Sequence, residues 1–173
     1  MKTQKLSVLE KIGFGAGDAA VNVVISTMML LIGYFYTDVF GLQPKDLVVL
    51  FFVVRLIDGL IDPAIGWFND RFTTRWGRYR PYFLWVSVPL AVSTVLMFTT
   101  PDLSYQGKLI WAYATYLLNT VLFSLVTVPY ISLIGVLTDS TADRLSANGY
   151  RLFFAKVAAF CVAFIVPLLA EKW

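Results

Sequence analysis

Long apolar stretches separated by short polar segments run through the whole chain. Each stretch is close to or above the ~20 residues that a helix needs to cross the ~30 Å hydrocarbon core of a bilayer. None alternates like the short strands of an outer-membrane barrel. The stretches lie at about Ala19–Tyr36, Leu47–Trp67, Pro81–Thr99, Leu109–Leu137 and Leu152–Ala170. The pattern predicts an all-α, polytopic membrane helix bundle with about five transmembrane helices, over residues 12–37, 45–68, 81–100, 108–137 and 149–171.

The composition supports lipid as the solvent. Of the 173 residues, 58% are apolar and only 14% are charged, and the mean hydropathy is +0.72. An ordinary soluble domain has about 25% charged residues and under half apolar residues. A chain of this length could not hide so much apolar surface from water, because small domains leave much of their surface exposed.

The residue inventory excludes most enzyme chemistry. The chain has no histidine and one cysteine, Cys161, inside an apolar run. Disulfides, zinc ligand sets and serine or cysteine nucleophiles paired with histidine are therefore ruled out. Gly15-Ala16-Gly17-Asp18 matches the G-x-G-D of intramembrane aspartyl proteases, but the partner acid should precede it, and Asp58 follows it. We expect no enzyme activity and no organic or redox cofactor.

The basic residues of the loops predict the orientation. If the N-terminus is cytoplasmic, eight basic residues lie inside and three outside, which is the positive-inside bias. The inside set is Lys2, Lys5, Lys11, Arg71, Arg75, Arg78, Arg80 and Arg144, and the outside set is Lys45, Lys108 and Lys172. The basic segment 71–80 has an alternative interpretation as a lipid-headgroup or nucleic-acid patch. It is short and lies between two spans, so we interpret it as a topological signal and expect no nucleic-acid partner.

Three charged residues inside the second span need an explanation, because a charge at the centre of a membrane helix costs at least ~2.5 kcal/mol. Arg55, Asp58 and Asp62 lie at positions i, i+3 and i+7, on one helical face. The two carboxylates can share a cation or hold one proton between them, and Arg55 can keep Asp58 charged. The alternative is a structural ion-pair network, but two acids against one base leave a negative charge that requires a partner.

Other polar residues in the spans give a weaker indication of function. Asp18, at the start of span one, could be a helix cap or a functional acid. In span five, Arg151 could merely flank the membrane, and Lys156 could extend to the interface. Span four contains Asn119, Ser124 and Thr127 near Pro129, and such side chains often bond their own backbone.

The ordered motifs resemble those of the glycoside–pentoside–hexuronide:cation symporters of the major facilitator superfamily. The resemblance covers essentially the whole chain, and several motifs in one order are far more specific than any one alone. The motifs are Glu10 to Asp18 (EKIGFGAGD), Tyr34 to Gly41 (YFYTDVFG), Arg55 to Pro63 (RLIDGLIDP), Arg75 to Pro81 (RWGRYRP), Val128-Pro129-Tyr130 and Tyr150-Arg151.

The resemblance implies a role for each matching residue. Asp58 and Asp62 match the cation-site carboxylates, with Ser124 as a hydroxyl beside them, so any bound sodium ion would lie there. Asp18, Thr127 and Arg151 match substrate-binding positions. Asp70, Arg71 and Arg78 resemble charged positions of the superfamily's loop between helices two and three. With Arg55, they are expected to have structural or ion-pairing roles. Lys156 stands where small residues are usual.

Two departures from the family pattern bear on substrate and ion. Thr127 and Ile131 stand where the melibiose-transporting member has an aspartate and a tryptophan, which disfavours galactosides. Ile61 replaces a polar neighbour of the cation site, which favours protons over sodium.

The resemblance implies cation-coupled symport of a sugar or glycoside, driven by protons or sodium, across the cytoplasmic membrane by alternating access. Such transporters have twelve helices in two halves, so the sixth helix and the C-terminal half are expected to be missing partners of this segment. The alternative is a non-transporting membrane subunit or a channel whose acids only hold helices together. A pore should show a polar stripe on every helix, and spans three and five show none.

We predict that a cysteine placed at position 75 is cytoplasmic. In intact cells, the Arg75→Cys variant should react only with a membrane-permeant thiol reagent, because the loop carries the inside-type basic cluster. The native Cys161 is replaced by serine as the background. Labelling by an impermeant reagent would overturn the topology.

Overall fold

The computed structural model describes residues 5–71 and 80–170, with the backbone only for 69, 70, 80–84, 169 and 170. The regular structure in these ranges is entirely helical, and it confirms the predicted all-α bundle of five helices. The helices are α1 (Val8–Tyr34), α2 (Pro44–Arg71), α3 (Arg80–Met97), α4 (Tyr105–Leu137) and α5 (Thr141–Ala170).

Specific hydrogen bonds determine where α1 begins and ends. Ser7 and Glu10 form a capping box, in which the Glu10 amide donates to Ser7 Oγ (3.3 Å) and the Ser7 amide donates to the Glu10 carboxylate (2.8 Å). The helix continues into a π-helical turn, Phe35–Val39, closed by the Phe40 amide on the Phe35 carbonyl (2.7 Å). Gly41 then adopts φ +78°, which lets the chain turn toward α2.

Helix α5 begins at Thr141, earlier than the predicted position 149. Ser140 caps its first turn by accepting a hydrogen bond from the Asp143 amide (3.3 Å). Arg144 binds back to the end of α4, donating to the carbonyls of Thr138 (2.7 Å) and Gly135 (3.0 Å). Hydropathy detects the apolar part of a helix, and so it missed this polar beginning.

Within the described residues, three helices are long and apolar enough to cross a membrane: Val8–Val39, Tyr105–Leu137 and Thr141–Leu168. Helix α2 has 28 residues, but Arg55, Asp58 and Asp62 lower its hydropathy. Trp85–Met97 is a shorter apolar segment of α3. Helix α2 thus carries charged residues in its middle, where they are costly in a membrane.

The chain forms two compact units. The first contains the described residues of Met1–Leu31 and Leu133–Trp173, which are most of α1 and α5. In it, Lys11 Nζ pairs with Asp143 at 2.8 Å, joining the first turns of the two helices. Further along, Gly15 is buried, and a Cβ built on it would lie 2.7 Å from Phe154 Cδ2 and 3.1 Å from the Tyr150 carbonyl oxygen. Only glycine allows the two helices this close approach.

The second unit, Ile32–Ser132, contains the π-helical turn, α2, α3 and α4 up to Ser132. Its apolar core includes Tyr36, Leu50 and Met97, whose side chains are completely buried. The ring of Phe35 packs edge-on against that of Phe98, with 5.1 Å between the centroids. These contacts lie at the end of the bundle where α1 turns into α2.

A buried amide joins α3 to α4 in the same unit. Asn119 is 1% exposed and donates to Ser93 Oγ (3.0 Å) and Thr94 Oγ1 (2.8 Å). Both amide hydrogens are therefore satisfied between the helices, as a buried polar group requires. Asn119 has a structural role here.

We predict opposite effects on stability for alanine at two glycines of α1. Gly15→Ala should lower the free energy of unfolding by roughly 1–3 kcal/mol, because the Tyr150 backbone cannot move aside for a methyl group. Gly13→Ala is the matched control, since nothing lies within 4 Å of a Cβ there, and it should gain up to about 1 kcal/mol of helix propensity. Thermal unfolding of the two variants in detergent measures the difference. Equal or greater stability of Gly15→Ala would contradict the packing argument.

Candidate functional site

Asp58 is satisfied on both carboxylate oxygens. Ser124 Oγ of α4 donates to Oδ1 at 3.2 Å, and Arg55 Nη1 pairs with Oδ2 at 3.3 Å. The Asp58 side chain is only 14% exposed, whereas that of Arg55 is 81% exposed. The structure thus brings together three of the residues predicted from sequence, and the Ser124 hydroxyl bonds the acid of the neighbouring helix.

Asp62 and Thr127 are different, because each has a buried polar atom without a hydrogen-bond partner in the described part of the chain. The two atoms are Asp62 Oδ1 and Thr127 Oγ1. Leaving a buried polar atom unpaired usually costs about 1–3 kcal/mol, and more for a charged group. Both residues were predicted as site residues from the sequence, and unpaired buried atoms of this kind are candidate contacts for a proton, an ion or a ligand.

Contacts along the α2–α4 seam place Asp62 and Thr127 at a similar level. Phe51 meets Tyr116 with ring centroids 5.3 Å apart, and a Cβ on Gly66 would lie 3.9 Å from Val128 Cγ1. With the Asp58–Ser124 hydrogen bond between them, these contacts show that α2 and α4 run in the same direction. Asp62 and Thr127 both lie in the stretch between the Asp58–Ser124 and Gly66–Val128 contacts.

The first unit contains the other predicted acid and base. Asp18 is 8% exposed, and its carboxylate accepts a hydrogen bond from Asn22 Nδ2 at 3.2 Å. Arg151 follows Tyr150 on α5, and the Tyr150 carbonyl oxygen is 3.1 Å from a Cβ built on Gly15, one turn before Asp18. Arg151 Nε is buried and has no hydrogen-bond partner among the residues described. Asn22 is the residue that sequence reasoning missed as a site candidate, and its signal was its position four residues after Asp18 on one helix face.

The remaining predicted residues lie elsewhere. The Arg71 guanidinium lies 4.4 Å from the centroid of the Trp67 ring, at the end of α2. The side chain of Asp70 and the whole of Arg78 fall outside the described residues. Lys156 is exposed on α5.

The side chains of Asp58, Asp62 and Ser124 offer oxygen atoms as ligands, and Arg55 is the nitrogen-containing partner of Asp58. Among the described residues, no group of three or more His, Cys, Asp or Glu side chains could hold a metal ion. Carboxylates and hydroxyls suit a proton or a hard cation, whereas transition metals prefer nitrogen or sulfur ligands.

Comparison with known proteins agrees with this chemistry. A family model described as MFS/sugar transport protein matches residues 13–173. The inner membrane symporter YicJ of Escherichia coli is 42% identical over 155 residues, which cover 90% of this chain and 34% of that protein. The putative glycoside/cation symporter YagG of E. coli is 41% identical over 167 residues, 96% of this chain and 36% of that protein. The isoprimeverose transporter of Lactiplantibacillus pentosus is 37% identical over 162 residues, 93% of this chain and 34% of that protein.

The chain spans about a third of the length of these curated relatives and corresponds to an N-terminal part of them. The family is one of transporters and not of enzymes, as the residue inventory predicted. The resemblance read from the ordered motifs is confirmed. Since the family model covers residues 13–173, most of the chain, this chain belongs to the MFS/sugar transport protein family of the major facilitator superfamily.

Proposed function

We propose that this segment provides the cation site and part of the sugar site of a cation-coupled symporter in the cytoplasmic membrane. The observation that carries the proposal is the contrast between two acids on one face of α2. Asp58 is paired on both oxygens, whereas Asp62 has a buried oxygen that nothing in the described chain satisfies. The exchangeable charge of the site is therefore assigned to Asp62.

Electrostatics explains why Asp58 and Asp62 are expected to behave differently. Arg55 and Ser124 give Asp58 a compensating cation and a hydroxyl donor, one on each carboxylate oxygen. Asp62 Oδ1 has no such partner among the described residues, and burying an uncompensated carboxylate is costly. Binding a proton or cation at Asp62 would remove the uncompensated charge.

The same charge provides the coupling. A membrane protein that changes conformation with a bare buried charge meets a large desolvation cost, which a bound cation lowers. If the cation-loaded state also binds sugar better, the sugar must in turn strengthen cation binding, since coupling between two sites is reciprocal. Alternating access of the whole transporter would then carry both solutes together.

The substrate is proposed to be a pentoside, a hexuronide or another glycoside. The names of the relatives include a glycoside/cation symporter and an isoprimeverose transporter, which support the sugar class. Thr127 and Ile131, in place of an aspartate and a tryptophan, argue against a galactoside.

The competing function is a membrane subunit or channel in which the acids only hold helices together. That function requires the acids to be paired within the bundle. Asp58 fits it, but Asp62 does not, because its buried oxygen is unpaired among the described residues.

We predict that Asp58→Asn and Asp62→Asn each abolish cation-driven sugar accumulation by a full-length transporter that carries this segment. Some sugar exchange should survive, because the asparagines keep the shape of the site. Uptake and exchange of a labelled glycoside in proteoliposomes measure both activities. Asp102→Asn, an exposed loop acid, is the matched control and should transport normally. If both helix variants still concentrate sugar, the acids are structural.

We predict that an imposed pH gradient drives uptake more strongly than an imposed sodium gradient. Protons need only one carboxylate, whereas sodium needs several oxygen ligands, and Ile61 offers none from its side chain. Uptake into proteoliposomes under each gradient alone, at equal driving force, distinguishes the two ions. Uptake driven by sodium alone would refute the argument from Ile61 while leaving the symport proposal intact.

A further inference from the structure

Asn22 makes an unusual use of its side-chain amide. Its Nδ2 donates to the Asp18 carboxylate at 3.2 Å and to the Asp18 backbone carbonyl at 2.9 Å. The amide nitrogen has two hydrogens, so both are used by one residue. The contact holds the Asp18 carboxylate in one orientation, against the helix from which it projects.

Thr27, a polar residue on the next turn of α1, provides a comparison. Thr27 Oγ1 donates to the Val23 carbonyl at 2.8 Å, which is the usual way for a hydroxyl to satisfy itself in a helix. Asn22 makes the same kind of bond, to the Asp18 carbonyl, and in addition binds the Asp18 side chain, which is itself buried. Its geometry therefore serves Asp18, beyond satisfying its own polar group.

Asp18 and Asn22 on α1 have unused hydrogen-bond acceptors, and Arg151 on α5 has an unused donor. The Asp18 carboxylate retains free acceptor positions, and Asn22 Oδ1 accepts from no described residue. On α5, Arg151 Nε is a buried donor without a partner in the described ranges. Two acceptors on α1 thus lie in the same unit as a donor on α5, and the close contact of Gly15 with Tyr150 brings these helices together within one turn of Asp18 and next to Arg151.

We propose that Asn22 is a positioning and binding residue of the sugar site, which together with Asp18 recognises two adjacent hydroxyls of the substrate. This inference rests on the proposed sugar function. One hydroxyl donates to the Asp18 carboxylate, the next donates to Asn22 Oδ1, and Arg151 donates to one of the hydroxyl oxygens. A vicinal diol supplies two hydroxyl donors and two acceptor oxygens, which a lone hydroxyl cannot.

The test uses a full-length transporter that carries this segment, reconstituted in proteoliposomes. The probes are methyl β-D-xylopyranoside and methyl β-D-glucopyranosiduronate, each with its 2-, 3- and 4-deoxy derivatives. In the parent protein, the deoxy derivatives at the recognised diol should bind more weakly than the intact probe. In Asn22→Leu, the affinity for the intact probe should fall about 3- to 10-fold, as expected for one lost hydrogen bond.

The decisive readout is discrimination between the probe and its deoxy derivatives. Asn22→Leu should bind one deoxy derivative with the same affinity as the intact probe, because the hydroxyl that this derivative lacks has no partner in the variant. A merely structural role would weaken all probes by the same factor and would overturn the proposal. Thr27→Val, which also removes a polar group from α1, should keep the parent's discrimination.

Two outcomes separate this inference from the proposed function. If the parent binds no probe, the proposed sugar class fails, and the inference fails with it. If the parent binds a probe and Asn22→Leu retains full discrimination, the inference alone is wrong. Asn22→Ala, with a smaller side chain, replaces Asn22→Leu if that variant does not reach the membrane.

Discussion

The packing of α2 on α4 depends on how the charges near the middle of α2 are compensated. Arg55 and Ser124 bind Asp58 at 3.3 Å and 3.2 Å, so that both oxygens of this acid have partners within the described chain. This contact also sets the register between α2 and α4. Asp62, one turn further along, is left with a buried oxygen that no described residue satisfies. The two carboxylates of the same helix thus differ, because Asp58 is paired on both oxygens and Asp62 has an unpaired one.

The polar residues of the second unit follow the same division. Asn119 donates both amide hydrogens to Ser93 and Thr94, and these two bonds hold α3 against α4. The hydroxyl of Thr127, by contrast, has no described partner although it is buried. In a medium without water, each such atom is costly, so the fold satisfies polar groups wherever it can. The unsatisfied atoms of Asp62 and Thr127 belong to the proposed site.

In the first unit, close packing supports the chemistry. Gly15 lets α5 approach α1 until the Tyr150 carbonyl is 3.1 Å from where a Cβ would be, and Lys11 with Asp143 joins the beginnings of the same helices. This fixes the register of α5 against the turn of α1 that carries the buried Asp18.

The sequence by itself determined the class of the protein. Hydropathy over ~20-residue stretches predicted five helices, and the spacing of Arg55, Asp58 and Asp62 placed them on one face, because both properties depend on local periodicity alone. The ordered motifs indicated the family. Only the tertiary structure decided how the two acids differ and that Asn22 holds Asp18, and it also assigned Asn119 a structural role. These outcomes depend on which side chain of one helix meets which side chain of another, and a one-dimensional pattern does not contain that register.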